Sequence, residues 1–431
     1  MTIDRRDLRP EGERTPSEFV MRPRMRPGAG PATVAEDDRS AAQGINEAAW
    51  DGTPRIRRAQ SLAVDTVDAA REFYAAVAQP EMALVIFFCS PQYDLDVLAP
   101  ELERLFGGVQ VVGCTTAGEI GPEGYRGHSI SGASFPSGGF AAACGCLDRL
   151  QEFVSTDAHS LAQGLLQRLE SLEPRADATN SFALLLIDGL SVREEPVARA
   201  LQNALGLLPM VGGSAGDDLN FGKAHVYCDG TFRTDRAAVV LVTTRMPFTI
   251  FKTQHFVPTE QRVVVTSADA EHRIVREIDG LPAAERYAQF VDARVEDLDP
   301  RRFAEQPMVV LIDGTNYVRS IQKVNQDGSL TLFCAIEEGL VLRGARGIDL
   351  LGNLRETFAG IRADLGTPRL VVAFDCILRK LEMLQSDLVD PVEATLLANN
   401  VTGFSGYGEQ FGGVHVNQTF AGIAIGDLPD A

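Results

Sequence analysis

The sequence predicts an α/β fold of mixed, layered sheets with outer helices, built from repeated β-α-β-loop units and divided into two domains. Three observations lead there. A succession of strand, helix, short strand and Gly-rich loop occurs three times, over residues 84–119, 183–218 and 370–409. Each unit opens with a short, almost wholly apolar run, such as Leu84–Cys89 or Ala183–Ile187, which suits a strand covered on both faces. About thirty residues separate the first strand from the loop, the length of a βαβ crossover. The two strands of a unit should therefore run parallel, and the loops should open at the sheet edge where α/β proteins place ligands.

In unit one, strand Leu84–Cys89 precedes a helix with Leu95, Leu98, Leu102, Leu105 and Phe106 on one side, then strand Val109–Val112 and loop Gly113–Glu119. In unit two, strand Ala183–Ile187 is followed by Ser191 and Glu194 in a capping-box pattern and by Pro196, which suits a first helical turn. Val197, Leu201, Ala204, Leu205 and Leu208 carry the helical period, and a short strand at Met210–Val211 leads into loop Gly212–Asp218. Unit three has strand Leu370–Phe374 and helices over 377–388 and 391–399, with Asp390 as N-cap and Pro391 at the first position of the second. Val401 leads into loop Gly403–Glu409. Strand-like sequence follows every loop: His128–Phe135 and Phe140–Cys146, His225–Cys228 and Ala237–Thr243, and His415–Ile425.

Residues 273–345 read as a β-rich module, with strands at Ile274–Glu277, Pro307–Ile312, Val318–Lys323 and Ser329–Ala335 and a helix at Ala283–Val291. A boundary near 272 gives domains over 61–272 and 273–431. Residues 1–60, rich in Arg, Pro and Gly, read as a disordered arm.

Composition narrows the function. The 431 residues carry a net charge of −19, which repels phosphate backbones and argues against nucleic acid as a partner. No run of 18 apolar residues predicts membrane insertion, and no apolar leader segment predicts secretion. The seven cysteines are scattered without a CxxC, which predicts reduced thiols in a cytoplasmic protein and neither a disulfide framework nor a zinc site. Only Lys223, Lys252, Lys323 and Lys380 are lysines, none in a phosphate-loop pattern, and no HExxH occurs.

The three loops share a glycine, a small hydroxyl residue, and a Gly–acid pair: Gly118–Glu119, Gly216–Asp217 and Gly408–Glu409. A carboxylate beside such a loop disfavours phosphate and favours an ammonium group or a hydroxyl-rich ligand. The expected ligand residues are Cys114, Thr115, Thr116, Gly118 and Glu119 in loop one, and Gly213, Ser214, Gly216 and Asp217 in loop two. Gly408 and Glu409 in loop three join them, with Arg319, Asp375, Cys376, Arg379 and Asn417. A zwitterionic amino acid would place its carboxylate on Arg379 or Arg319 and its amine on Glu119, Asp217 or Glu409. The same glycines and acids also serve plain tight turns. Cys376, one turn before Arg379, leaves open an enzyme with a thiol nucleophile acting on a small metabolite.

With these residues in view, the chain resembles the FIST family of bacterial sensory proteins, which have an N-terminal and a C-terminal FIST domain. The resemblance rests on Phe87–Phe88–Cys89–Ser90, on Val111–Ile120 with Gly124–Tyr125, and on the GGSAGDD loop. Further matches are Ile278–Asp279–Gly280 with Pro282–Ala283, Val318–Arg319, Asp327–Gly328–Ser329–Leu330, and Gly408–Glu409 with Asn417–Gln418–Thr419. Where the family often has Ser-Cys-x-x-Arg, this chain has Asp375–Cys376–Ile377–Leu378–Arg379. The resemblance implies a small-ligand-binding sensor, with amino acids as proposed ligands and haem-based nitric oxide sensing in some members. Such a haem would need an axial histidine: His225 is the first choice, His128 and His415 the alternates, all non-covalent because no CxxCH occurs. It also implies a signalling partner such as a histidine kinase or a cyclic-di-nucleotide enzyme. The chain carries no recognisable output segment of its own, so signalling is expected in trans.

Overall fold

A computed structural model describes residues 55–312 and 314–427. Most of the segment read as a disordered arm lies outside these residues. Its end, however, forms a strand, Arg57–Ser61, paired antiparallel with Ile130–Pro136.

The three repeats become three six-stranded sheets with the same plan. In each, the first and second strands of a unit lie side by side and parallel: Met82–Cys89 with Val111–Thr115, Ser181–Asp188 with Met210–Ala215, and Leu370–Cys376 with Val401–Gly406. On the other side of the first strand lies an antiparallel return strand, respectively Ile130–Pro136, Arg236–Thr244 and Phe420–Ile425. The outer neighbour of the second strand is a hairpin from a different unit. Glu119–Arg126, after loop one, joins the sheet of unit three. Val226–Arg233, after loop two, joins that of unit one, and Glu409–Val416, after loop three, joins that of unit two. The exchange is cyclic, so the three sheets close into a ring.

The apolar runs are explained by this closure. Alternate residues of each first strand point to opposite faces. Leu84, Ile86 and Phe88 meet Leu184, Leu186, Val372 and Phe374 in one central core enclosed by the three sheets. Val85, Phe87 and Cys89 face helices Thr66–Val77 and Leu95–Phe106, and Ala183, Leu185 and Ile187 face Ser155–Leu172 and Glu194–Leu205. Val371 and Ala373 face Leu350–Leu365 and Val389–Ala398. The expected mixed α/β layering with outer helices is the one observed.

Close strand approach fixes a glycine in each second strand. A Cβ at Gly403 would lie 1.8 Å from the carbonyl oxygen of Ala373, one at Gly212 2.0 Å from that of Leu185, and one at Gly113 2.5 Å from that of Phe87.

Residues 256–347 form a further sheet, whose longest strand, Phe256–Asp269, starts ahead of the boundary drawn near 272. The stretch read as one strand, Val318–Lys323, is two, Thr315–Arg319 and Ile321–Val324, each paired with a different neighbour. Its own core gathers Val265, Val275, Tyr287, Phe303 and Leu342.

Two helix starts differ from expectation. Ser191 and Glu194 make no capping box: Ser191 Oγ accepts from the Arg193 amide, and Glu194 is drawn away to Arg273. Helix Val389–Ala398 begins before Asp390, which lies inside the first turn and does not cap it.

Candidate ligand site

The three Gly-rich loops meet on the axis of the ring and bind one another through their backbones. The Ala117 amide donates to Ser405 O at 2.7 Å, the Gly216 amide to Thr115 O at 3.0 Å, and the Tyr407 amide to Ser214 O at 3.2 Å. These are equivalent positions, so the bonds form a closed cycle. Two further bonds, from the Ser405 amide to Gly118 O at 2.7 Å and from the Ser214 amide to Gly408 O at 2.8 Å, tighten it. Thr115, Thr116, Ser214, Gly216, Gly118 and Gly408 are therefore brought together as the small-residue loops suggested.

The acids do not follow the motif. Glu119 and Glu409 are counterparts. Glu119 Oε2 accepts from the Ser129 amide at 3.1 Å and hydroxyl at 2.8 Å, while Glu409 Oε2 accepts from the Thr419 amide at 3.4 Å and hydroxyl at 2.5 Å. In unit two the hairpin register puts Val226 at that position, because the chain makes an extra turn between Asp217 and His225. Asp217 holds that turn, accepting from the Gly222 amide at 2.7 Å and the Lys223 amide at 2.8 Å, and it takes the Tyr407 hydroxyl. The apparent third Gly–acid pair thus serves a turn of its own.

Charge is concentrated beside the ring. Burial pushes the Glu119 carboxyl up to about 8, against the hydroxyls of Thr116 and Ser129 and the nearby Lys380 ammonium, which pull it down. Lys380 was absent from the residues expected here. Its Nζ donates to Ala117 O at 2.5 Å and lies 5.5 Å from the centre of the Tyr125 ring. Desolvation pulls its pKa down, while Asp218, Glu119 and Asp375 hold it up. Asp375 and Arg379 form a buried ion pair at 2.7 Å, and Arg379 continues to His255, which reaches Glu382 at 2.8 Å. Arg379 is thereby committed inside the protein and is no free carboxylate receptor.

The module of residues 256–347 covers one side of this ring. Phe333 packs on Tyr407 and Phe221 with ring centres 6.0 and 5.8 Å apart. His415 Nε2 donates to Phe333 O at 3.3 Å, and Gln418 Nε2 donates to Ala304 O at 2.7 Å. Arg273 crosses the seam to Glu194 at 2.7 Å and to Glu195. Among the buried polar atoms with no hydrogen-bond partner within the protein are Glu409 Oε1, Gln410 Oε1 and Asn417 Oδ1 on and beside the loop-three hairpin, and Arg319 Nε at the end of strand Thr315–Arg319 in the module. Burial raises the Glu409 carboxyl well above its ordinary range.

Two family models decide the classification: one for the FIST N domain matches residues 83–281, and one for the FIST C domain matches residues 283–412. The chain belongs to the FIST family. FIST domains are generally sensory, small-ligand-binding domains of signalling proteins. An uncharacterized protein of Methanocaldococcus jannaschii, MJ1623, is 24% identical over 201 residues, covering 44% of this chain and 38% of its own length. The chain thus matches well under half of that relative. Among solved structures, a cyanuric acid hydrolase described under the phrase structural concatenation aligns over 86% of this chain and 99% of its own, with 11% identity and a TM-score of 0.36. The cyanuric acid hydrolase of A. caulinodans aligns over 87% and 100%, with 11% identity and a TM-score of 0.33.

Within this FIST protein the remaining expected residues are placed as follows. Gly213 lies in the core, against the rings of Phe374 and Phe404. Cys114 and Cys376 are buried, and burial raises both thiols well above the ordinary range. Arg379 turns to Asp375 and His255, away from the role of activating Cys376 as a nucleophile. His225 is half-buried among Lys223, Asp217 and Asp96, and His128 packs on Tyr93 at 4.7 Å beside Asp218. Both nitrogens of His415 are engaged, by Gln410 and by Phe333. A haem needs an apolar slot beside an available imidazole. His415 is committed, and although His128 Nε2 and His225 Nδ1 are buried without a partner, the charged side chains around both do not fit such a slot. Clefts of about 530 Å³, at Met82, Gly139, Leu172 and Thr243, and about 580 Å³, at Arg355, Arg362, Pro391 and Asn399, lie away from the loop ring. Among the described residues no helix is long and apolar enough to cross a membrane.

Proposed function

We propose that the protein is a cytoplasmic sensor that binds a small zwitterionic metabolite, an amino acid or close analogue, where the loop ring meets the module of residues 256–347. It passes the bound state in trans to a signalling partner such as a histidine kinase or a cyclic-di-nucleotide enzyme. The observation that carries the reading is the set of unpartnered buried groups in this region. Leaving a buried polar group unmet costs about 1–3 kcal/mol. Gln410 Oε1 and Asn417 Oδ1 are acceptors suited to an ammonium group, Glu409 belongs with them once a cation offsets the burial that otherwise favours its neutral form, and Arg319 Nε is a donor suited to a carboxylate. Family membership supports small-ligand sensing in general. A ligand touching both ring and module shifts their relative arrangement to the extent that it binds one arrangement better.

The test is thermal stabilisation of the purified chain across the amino acids and related metabolites. A ligand at a hundred times its Kd adds about 2.7 kcal/mol. The shift should disappear in Arg319→Met and Asn417→Leu. Absence of a shift with every zwitterion, or a shift unaltered in both variants, would overturn the assignment.

A further inference from the structure

Strand exchange has a second chemical consequence, at the seam between the sheets of units one and two. Cys146 lies near the end of strand Phe140–Asp148, in the sheet of unit two. Cys228 ends strand Val226–Cys228, on the hairpin that unit two lends to the sheet of unit one. Asp229 follows it in the left-handed region, at φ 50°. Cys146 Sγ lies 3.4 Å from Asp229 Oδ2, and the two sulfurs and the carboxylate oxygen all lie within 4.8 Å of one another. Cys228 is buried, Cys146 partly exposed and Asp229 exposed, which leaves an entry path from solvent.

We propose that Cys146, Cys228 and Asp229 form a binding site for a thiophilic divalent cation of the zinc class, with a fourth coordination position open to water. Tetrahedral zinc holds sulfur at about 2.3 Å and carboxylate oxygen at about 2.0–2.2 Å, so the two sulfurs would stand about 3.8 Å apart. Three donors within 4.8 Å reach that geometry by small side-chain rotations. Two thiolates select zinc-like ions over magnesium or calcium, which prefer oxygen alone. Binding replaces two thiol protons, released to solvent, with one cation. Two thiolates, a carboxylate and a dication sum to one negative charge. Arg236, whose guanidinium donates to Cys228 O at 2.8 Å, shares Asp148 with Arg233, and the two arginines against one carboxylate leave a positive charge beside the site to offset it. The cation would tie the sheet of unit one to that of unit two, and it is independent of the ligand proposed at the loop ring.

The experiment uses the full chain, reduced and freed of metal with a chelator, titrated with cobalt(II) as the spectroscopic probe. The expected result is a thiolate-to-cobalt charge-transfer absorption that saturates at about one equivalent, is displaced by zinc and is unaffected by magnesium. Cys146→Ser and Cys228→Ser should abolish it. Asp229→Asn, at an exposed position that leaves the fold undisturbed, should weaken cobalt binding about tenfold or more. A wild-type protein with no such band would overturn the proposal, as would a band persisting in Cys228→Ser. If the two thiols cross-link to a disulfide under these conditions and give no band, the pair is a redox couple and the metal assignment falls.

Discussion

Replacing Glu119 by Gln tests whether the loop ring holds a neutral carboxylic acid. Glu119 is fully buried, and burial lifts its pKa from 4.5 to about 8. At about 1.36 kcal/mol per pH unit the difference amounts to about 5 kcal/mol. The native state keeps a proton between these values that the unfolded chain releases. The contribution is therefore complete below pH 4.5, declines as pH rises, and is lost above about pH 8. Gln mimics the protonated acid. Its carbonyl accepts from the Ser129 amide and hydroxyl, while its amide donates to the Thr116 hydroxyl now bonded to Oε1. Glu119→Gln should therefore match the wild type near pH 5 and exceed it at pH 8.5. The expected gain is up to about 5 kcal/mol, or on the order of 5–10 °C in melting temperature. The assay is differential scanning calorimetry of both proteins at several pH values. A wild-type-to-variant difference constant from pH 5 to 8.5 would refute the reasoning, because Glu119 would then be ionised throughout and stabilised by Lys380.

Three further outcomes follow from contacts described above. Gly403→Ala and Gly212→Ala force a Cβ to 1.8 and 2.0 Å from a neighbouring carbonyl; each should cost at least about 3 kcal/mol and lower soluble yield, and a melting temperature within a degree of wild type would contradict the parallel register. Arg273→Met leaves Glu194, which is fully buried, without its charge partner; destabilisation of about 3–5 kcal/mol, read by urea denaturation, should come with faster limited proteolysis within residues 256–347. Tyr407→Phe removes the hydroxyl that donates to Asp217 and to Asp218 O; a loss of about 1–3 kcal/mol is expected, and an unchanged denaturation midpoint would show that Asp217 is satisfied by its turn alone.

What could be read from the sequence was what local pattern encodes. Strands covered on both faces announce themselves as apolar runs, so Leu84–Cys89 and Ala183–Ile187 were recognisable, and Gly-rich loops after short strands pointed to one sheet edge. Hydrogen-bond partners between distant segments left no local trace. Nothing around Glu119–Arg126 says that it pairs with Val401–Gly406. The same blindness misread Glu194 as a cap, because its partner Arg273 lies 79 residues away. Asp217 was grouped with Glu119 and Glu409 because the motif Gly–acid recurs, whereas the extra turn in loop two changes which residue reaches the equivalent position. A lysine on a short helix ordinarily faces water, so no local pattern marks Lys380 as a site residue. Its signal was rarity: it is one of four lysines among 40 basic residues. The thiol pair Cys146 and Cys228 escaped for the same reason as the hairpins, since zinc motifs are recognised by short spacing and this one is assembled by strand exchange.

That exchange also indicates where a sensory signal can arise. Each of the three sheets borrows its outer hairpin from another unit, so withdrawing one unit strips a neighbour of two strands and exposes a bare sheet edge. The cycle of loop bonds from Ala117 to Ser405, Tyr407 to Ser214 and Gly216 to Thr115 adds the same constraint at the axis. Small displacements of one unit against another would break backbone bonds that no solvent can replace, and the ring is expected to behave as one body. The module of residues 256–347 carries its own core and meets the ring through side chains: Arg273 on Glu194, Gln418 on Ala304, Phe333 on Tyr407. Side-chain contacts can exchange partners without unravelling a sheet. The seam where Glu409, Asn417 and Arg319 hold unmet polar atoms is thus also the joint at which a bound metabolite can alter the shape presented to a partner at least cost. Hydrogen–deuterium exchange should then show the ligand protecting amides of residues 315–335 while leaving those of Val111–Thr115 and Val401–Gly406 unchanged. Protection confined to the three ring sheets would place the moving joint inside the ring and reverse the assignment.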